Sequence, residues 1–485
     1  MVLDGGLPDP RTNSKMKHTA LDGLRICVAA AALAAAAFAQ TPLTYGNLLV
    51  TRVGDGTATL SGVATPVFVD EYTTSGTLVQ SIAMPTVASG LNQAFTNSGS
   101  ASSEGFLNVS TNGLYVLLTG YNAAPGTTAI AGSANPPVSR VIARIDLAGV
   151  VDTSTALTDA YTVSNIRSVA SDDGSRFWIA GSSQGIRFVA NLGDSSSVLV
   201  GVPPTNVRCL NVYNGQLWGT SGSSGFVGLW KAGNGLPTLP ATAGGVIEPG
   251  FTGATGPSPY DFHFASPTTV YIADDRSNGS GGIYRYDLVS GTWVQAYVLA
   301  VSATTGCRGL SGFTQNGVTT LYATATAATT TTPNTIVSVV DTGAGSAFTT
   351  IATASPNTAF RGIRYFGLPS TLARIPAACG PMDISATGNG QIGTDVVTTL
   401  KNPTGFGFIG FGTTFAGFPL CGCTLVHDYA ALLFGSQIAF PIPNNPIFTG
   451  AQIFIQGVDL DLIGAPGCLG LPPFTLSDGF QFTVQ

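Results

Sequence analysis

Charge is what this chain has least of. Aspartate, glutamate, lysine and arginine make up 9% of its 485 residues, against about a quarter in ordinary soluble domains. Residues 1–39 hold four basic and three acidic side chains of the 19 and 25 in the whole chain, so the remainder carries a net charge of −7. Beyond residue 39 the only lysines are Lys231 and Lys401. A nucleic-acid binder needs clustered lysine and arginine on one face, and that class is excluded as a partner. Histidine is nearly missing too. After residue 39 only His263 and His427 remain, too few for a multi-histidine metal site and poor material for a Ser-His-Asp triad.

Long apolar runs are also lacking, although 44% of the chain is hydrophobic. The longest, Ile26–Phe38, is 13 residues long and falls short of the ~20 needed to cross a bilayer. Elsewhere apolar residues come in short alternating stretches broken by Gly, Pro, Asn, Ser and Thr, the pattern of strands and turns.

The first 39 residues read as an export signal. Met16-Lys17-His18 and Arg25 give a positive segment, Ile26–Phe38 an apolar one, and Ala37-Phe38-Ala39 a small-residue cleavage site before Gln40. The expected product is secreted, or held at the cell surface, with no transmembrane segment after cleavage.

Between Tyr45 and Leu368 a pattern recurs: small residues, a central position, an apolar strand, a turn, then a strand bearing an aromatic. The central positions are Gly105, Arg167, Arg208, Asp261, Arg308 and Arg361, spaced by 62, 41, 53, 47 and 53 residues. Repeats of this length holding four short strands are the signature of propeller blades. Six copies predict an all-β chain whose residues 40–368 form a six-bladed β-propeller, with seven blades as the alternative. The sixth copy has room for one strand only, so Leu48–Val53, Val67–Tyr72 and Thr77–Ile82 are expected to complete its blade and remove exposed sheet edges. The long first interval assigns Tyr121–Ser139 to a loop insertion.

Superposed, the central positions form a ring, and four of the 13 arginines beyond residue 39 stand on it. Two readings follow. Each Arg either ties blades together through its five donors, or the ring clamps an anion, with Arg167, Arg208, Asp261, Arg308 and Arg361 as the ligand-binding set.

Pro369–Pro376 reads as a linker, and residues 377–485 as a small β-sandwich with strands near Val396–Leu400, Phe406–Phe411, Ser436–Phe440 and Ala451–Gln456. A short helix or turn is expected near His427–Phe434. Four cysteines, Cys379, Cys421, Cys423 and Cys468, fall here and in an exported chain read as two disulfides; a four-thiolate zinc site is the alternative. Cys209 and Cys307 lie in separate repeats and are expected as free buried thiols or a strained link.

Arg52-Val53-Gly54-Asp55-Gly56 through Asp70-Glu71-Tyr72, with Thr119-Gly120-Tyr121 and Ala273-Asp274-Asp275-Arg276, resembles a family of secreted bacterial β-propellers over residues 45–368. Cys421-Gly422-Cys423-Thr424-Leu425-Val426-His427-Asp428 is similar to terminal domains of exported proteins from environmental bacteria. Neither resemblance implies an activity or a set of functional residues.

Reactive constellations are few. Gly181-Ser182-Ser183-Gln184-Gly185 matches G-x-S-x-G but joins two strands, where a nucleophile elbow needs a strand followed by a helix. Asp261, His263, Asp274 and Asp275 could supply oxygen ligands to calcium or acid and base to a sugar; the plain reading is turn chemistry and an ion pair with Arg276. No other cofactor is implied. The balance points to a non-catalytic binding or cell-surface protein for extracellular glycan or another anionic polymer. A polysaccharide lyase or hydrolase at the propeller axis, and a structural matrix or filament component, are the alternatives.

Overall fold

The computed structural model describes residues 41–240, 244–315, 317–326 and 333–367, and beyond these a set of strands between 373 and 484. The export signal (residues 2–40), the linker Pro369–Pro376 except for the strand Ala373–Ile375, and Cys379, Cys421 and Cys468 lie outside the described residues, as does the Cys423 side chain. The described part is almost wholly antiparallel sheet; its one helical piece is the 3₁₀ turn Ile130–Gly132, inside the expected loop insertion.

Four separate four-stranded sheets follow one another along the chain. Their first strands are Ile166–Ala170, Leu210–Tyr213, Pro259–Ser266 and Cys307–Gln315. A nine-stranded sheet accounts for two further sets of four, joined by the short strand Thr96–Ser98. One set starts with Leu107–Val109. The other starts with Ala359–Tyr365 from the far end and continues with Leu48–Val53, Ala64–Tyr72 and Leu78–Ala83 from the near end. Leu48–Val53 thus pairs with Ala64–Tyr72 on one side and with Ala359–Tyr365 on the other, the closure expected from the truncated sixth copy.

Local chemistry explains the sets. Alternating apolar residues are buried where sheets stack: Ile166, Val169, Phe177, Ile179 and Val189 share one cluster, Leu310, Leu321, Ala323 and Val337 another. Turns carry the residues that tight hairpins require. Asn214 and Gly215 both take positive φ, 48° and 68°, between strands paired up to Tyr213 and Gln216. Gln184 and Gly185 do the same, at 65° and 67°, so the G-x-S-x-G segment is a strand-to-strand turn.

From Ala373 onward the strands form a five-stranded, a three-stranded and a two-stranded sheet. Met382, Ile384, Val396 and Leu400 share one buried cluster with Ile409, Phe411, Ile455 and Phe482. Of the short helix or turn expected near His427–Phe434, the helix is corrected: Cys423–His427 and Ala431–Phe434 are both strands, with Asp428 and Ala430 between them outside any strand. Leu432, Leu433 and Phe434 alternate no polar residue among them, and all three side chains are exposed.

Candidate functional site

The first strands of the six sets lie in cyclic order, each against the next except that Pro259–Ser266 packs chiefly on Gln216–Ser221, the second strand of the preceding set. All six central positions lie on or just before these first strands. Four arginines therefore approach from different sets and gather around the nearly buried Tyr260, 7% exposed. The Arg208 guanidinium lies 4.2 Å from the Tyr260 ring centroid and that of Arg308 5.6 Å from it. Phe106 packs on the same ring at 5.8 Å.

Each arginine also reaches a neighbouring segment. Arg167 donates from Nη1 to Asn206 Oδ1 and, at 3.3 Å, to the Val207 carbonyl. Arg208 donates to Ser258 Oγ at 2.8 Å and to the Pro259 carbonyl at 3.0 Å. Arg361 donates to the Gly99 carbonyl at 2.8 Å. Arg308 alone meets a carboxylate: its Nε and Nη2 lie 3.0 and 2.9 Å from Asp275 Oδ2.

The blade-tie reading therefore describes real contacts, but it leaves donors over. The Nε of Arg167 and of Arg361 are buried without a partner. Burial holds the Arg361 guanidinium down at about 10, with the charge of Arg308 adding to the effect. Burial also lowers that of Arg167, and the charge of Arg208 acts in the same direction. Glu104, beside this group, has its carboxyl raised by burial although Tyr121, Asn165 and the Ser98 N–H all donate to it. Gly105, the sixth central position, has φ +77°, and a Cβ there would lie 3.1 Å from Arg361 Cβ, so glycine lets that arginine pass.

Asp261 goes a different way from the rest of the expected set. It is fully buried, with Oδ2 and Oδ1 at 2.5 and 2.9 Å from the Arg364 guanidinium. Its strand shifts register between Pro259 and Phe262, as those of Arg308 and Arg361 do between Cys307 and Leu310 and between Phe360 and Ile363. Tyr260 therefore stands in register with the arginines, and Asp261 with Gly309 and Gly362. Arg364 spends its remaining donors on Asn108 Oδ1 at 2.8 Å and the Leu310 carbonyl at 2.7 Å. Asn108 in turn donates to the carbonyls of Val169 and Leu210, at 2.6 and 2.7 Å. This one network touches the first strand of every set.

Sequence reasoning missed Arg364, Asn108 and the placement of Tyr260 among the arginines. The first two had a signal: each stands three residues after a central position, Arg361 and Gly105.

The other candidates resolve plainly. Asp274 pairs with Arg276 at 2.8 Å, as the turn-and-ion-pair reading has it. His263 is half-buried, its Nε2 is sealed without a partner, and burial together with the Arg364 charge depresses its pKa to about 4. Cys209 and Cys307 are free buried thiols; burial pushes Cys307 up to about 12.

No protein-family model matches the chain, and no curated protein matches it. Among solved structures it is similar to the extracellular domain of BT4673 from B. thetaiotaomicron, at 10% identity and a TM-score of 0.35 over 87% of this chain. The chain spans 56% of the length of that neighbour. It is also similar to a chain of a nidogen/laminin complex, at 12% identity and a TM-score of 0.35, covering 66% of this chain and 97% of that one. A third likeness is to the hydrazine synthase of Kuenenia stuttgartiensis, at 11% identity and a TM-score of 0.33, covering 65% and 79%.

Proposed function

We propose that the chain is a secreted, non-catalytic binding protein: a six-bladed β-propeller over residues 40–368, followed by a β-sandwich over residues 377–485. Its ligand is an anionic group of an extracellular glycan or another anionic polymer, bound where Arg167, Arg208, Arg308 and Arg361 surround Tyr260 at one mouth of the propeller axis. Six sets of four strands, with first strands in cyclic order, support six blades over seven.

The observation that carries the site is uncompensated charge. Among the described residues Arg167, Arg208 and Arg361 form no ion pair, while Arg308 has Asp275. Guanidinium groups with spare donors in a partly desolvated mouth favour carboxylate, sulfate or phosphate. Below the mouth, the Arg364–Asp261–Asn108 network fills the axis, so the ligand meets a shallow site and does not thread a channel. Of the candidate acid–base residues, Asp261 is closed on Arg364, His263 Nε2 is sealed, and Asp275 is paired with Arg308.

Sulfated or uronate oligosaccharides should raise the melting temperature above a chloride control of equal ionic strength. Mass action supplies ~2.7 kcal/mol at one hundred times the dissociation constant. Sulfate also stabilises proteins by exclusion from their surfaces, so the comparison uses the Arg167→Gln, Arg208→Gln double variant. A response confined to wild type upholds the site. An identical response in both reduces the arginines to blade ties.

A further inference from the structure

The two motifs Arg52-Val53-Gly54-Asp55-Gly56 and Asp70-Glu71-Tyr72 take no part in the arginine cluster. They converge elsewhere. Arg52, Asp55, Asp70 and Tyr72 line one side of a cavity of about 270 Å³, and Thr353, Ser355 and Phe360, some 300 residues later in the chain, line the other. The cavity lies at the seam where the first strands meet Ala359–Tyr365.

Its floor is aromatic. Tyr72 and Phe360 are 9% and 2% exposed and meet edge to face at 5.9 Å. Its rim is polar, with the exposed residues Thr353 and Ser355 on one bank and Asp55 on the other. Asp55 is held in place by glycines. Gly54 and Gly56 have φ +98° and +88°, and a Cβ on Gly54 would come within 2.4 Å of the Asn357 carbonyl. Asn357 also donates to the Gly56 carbonyl at 3.2 Å, docking this loop on the opposite bank. Asp55 Oδ1 accepts from the Thr57 N–H at 3.0 Å and the Thr57 hydroxyl at 2.7 Å. These bonds hold its carboxyl below the usual range. Oδ2 has no partner among the described residues.

Charge decides the ligand class. Arg52 is already spent: it pairs with Asp70 at 2.6 Å and donates to the Gly54 carbonyl and to Ser81. That pair is neutral, and Asp55 leaves the cavity one negative charge, so it repels the anions that the arginine mouth attracts. An apolar floor, hydroxyls on the rim and one acceptor-only carboxylate suit a ring with an apolar face and hydroxyl donors at its edge.

We propose that this seam cavity binds a neutral sugar unit, its apolar C–H groups against the floor that Tyr72 and Phe360 form and its hydroxyls donating to Asp55. The site stands independently of the arginine mouth. Because its walls come from both ends of the repeat region, an occupied cavity also fastens the seam.

The test is calorimetric titration of the mature chain with maltohexaose, cellohexaose, xylohexaose, mannohexaose and chitohexaose. At least one should bind. Asp55→Asn should weaken it ten- to a hundredfold, the range for a hydrogen bond to a charged group. Ser355→Trp, which fills the cavity from its rim, should abolish binding. A readout in wild type needs no variant: the bound sugar should slow amide exchange at residues 52–57 and 353–358. The proposal is overturned if no member of the panel binds, if both variants bind as wild type does, or if protection appears elsewhere. Displacement of the sugar by a sulfated oligosaccharide would also overturn it, since that places the sugar at the arginine mouth.

Discussion

The strands between Leu48 and Tyr365 and those between Asp383 and Thr483 are written in the same vocabulary, yet they are held together differently. In the first region, buried polar groups tie residues that are remote in sequence: Arg364 to Asp261, 103 apart, and Arg364 to Asn108, 256 apart. Among the described residues of the second, an apolar cluster is joined by buried polar groups whose partners are closer in sequence: the Gln456 amide donates to the Thr424 and Ser477 carbonyls, and Asp459 accepts from the Gly405 N–H. The edge strand Ala431–Phe434 leaves Phe434 69% exposed. The lesson concerns vulnerability. A polar tie leaves a charge behind when one partner is removed, whereas an apolar cluster loses only contact area.

The sharpest way to break the comparison is at Arg364. Arg364→Met strands Asp261 in the interior and should cost about 3–5 kcal/mol, read as a lowered urea midpoint. Adding Asp261→Leu should recover most of the loss. A single variant as stable as wild type would remove the basis for distinguishing the regions.

Reduction probes the other side. If Cys379, Cys421, Cys423 and Cys468 form two disulfides, dithiothreitol should destabilise the C-terminal strands by ~2–5 kcal/mol and leave the first region nearly unchanged, since Cys209 and Cys307 are free. Hydrogen exchange with and without reductant reads the two regions separately. Equal loss in both would contradict the contrast.

Acid should treat the regions alike. His263 and His427 each have a pKa near 4, burial being the first cause in both, below the ordinary 6.5 of the unfolded chain. The unfolded state therefore takes up protons first. The stabilisation is complete above pH 6.5 and is lost as pH falls towards 4, by about 2–3 kcal/mol per histidine. His263→Phe should flatten this dependence for the first region alone, as followed by urea unfolding at pH 7 and pH 4.5.

The smallest effect lies on the exposed edge. Phe434→Ser should change stability by no more than about 0.5 kcal/mol while reducing self-association in light scattering.

Much of this frame was legible in the residues. The four short strands expected in each repeat are seen after Asn165 as Ile166–Ala170, Phe177–Gly181, Ile186–Val189 and Val198–Gly201, because alternation and turn glycines act locally. Leu48–Val53 was legible as the strand that completes the last set, because a sixth copy with a single strand must borrow partners. The gathering of the arginines followed from their equivalent positions. What stayed hidden was direction. Tyr260, not Asp261, stands in register with Arg308 and Arg361, because the same shift falls at Pro259/Phe262, Cys307/Leu310 and Phe360/Ile363. Asp261 matches Gly309 and Gly362, a one-residue offset that spacing alone does not report. Arg364 escaped notice because its partners, Asn108 and Asp261, come from two other sets. The strand Ala431–Phe434 was open to a helical reading because an apolar run of four residues has no period to distinguish the two.

The pairing of Leu48–Val53 with Ala359–Tyr365 also sets a timetable. During synthesis the near-end strands emerge first, but their partner follows about 310 residues later. At the ~5–20 residues per second of translation, the early sheet waits roughly 15 to 60 seconds with one edge unpaired. Contacts of such sequence separation make for slow folding. The sheet cannot lock until Ala359–Tyr365 has been delivered.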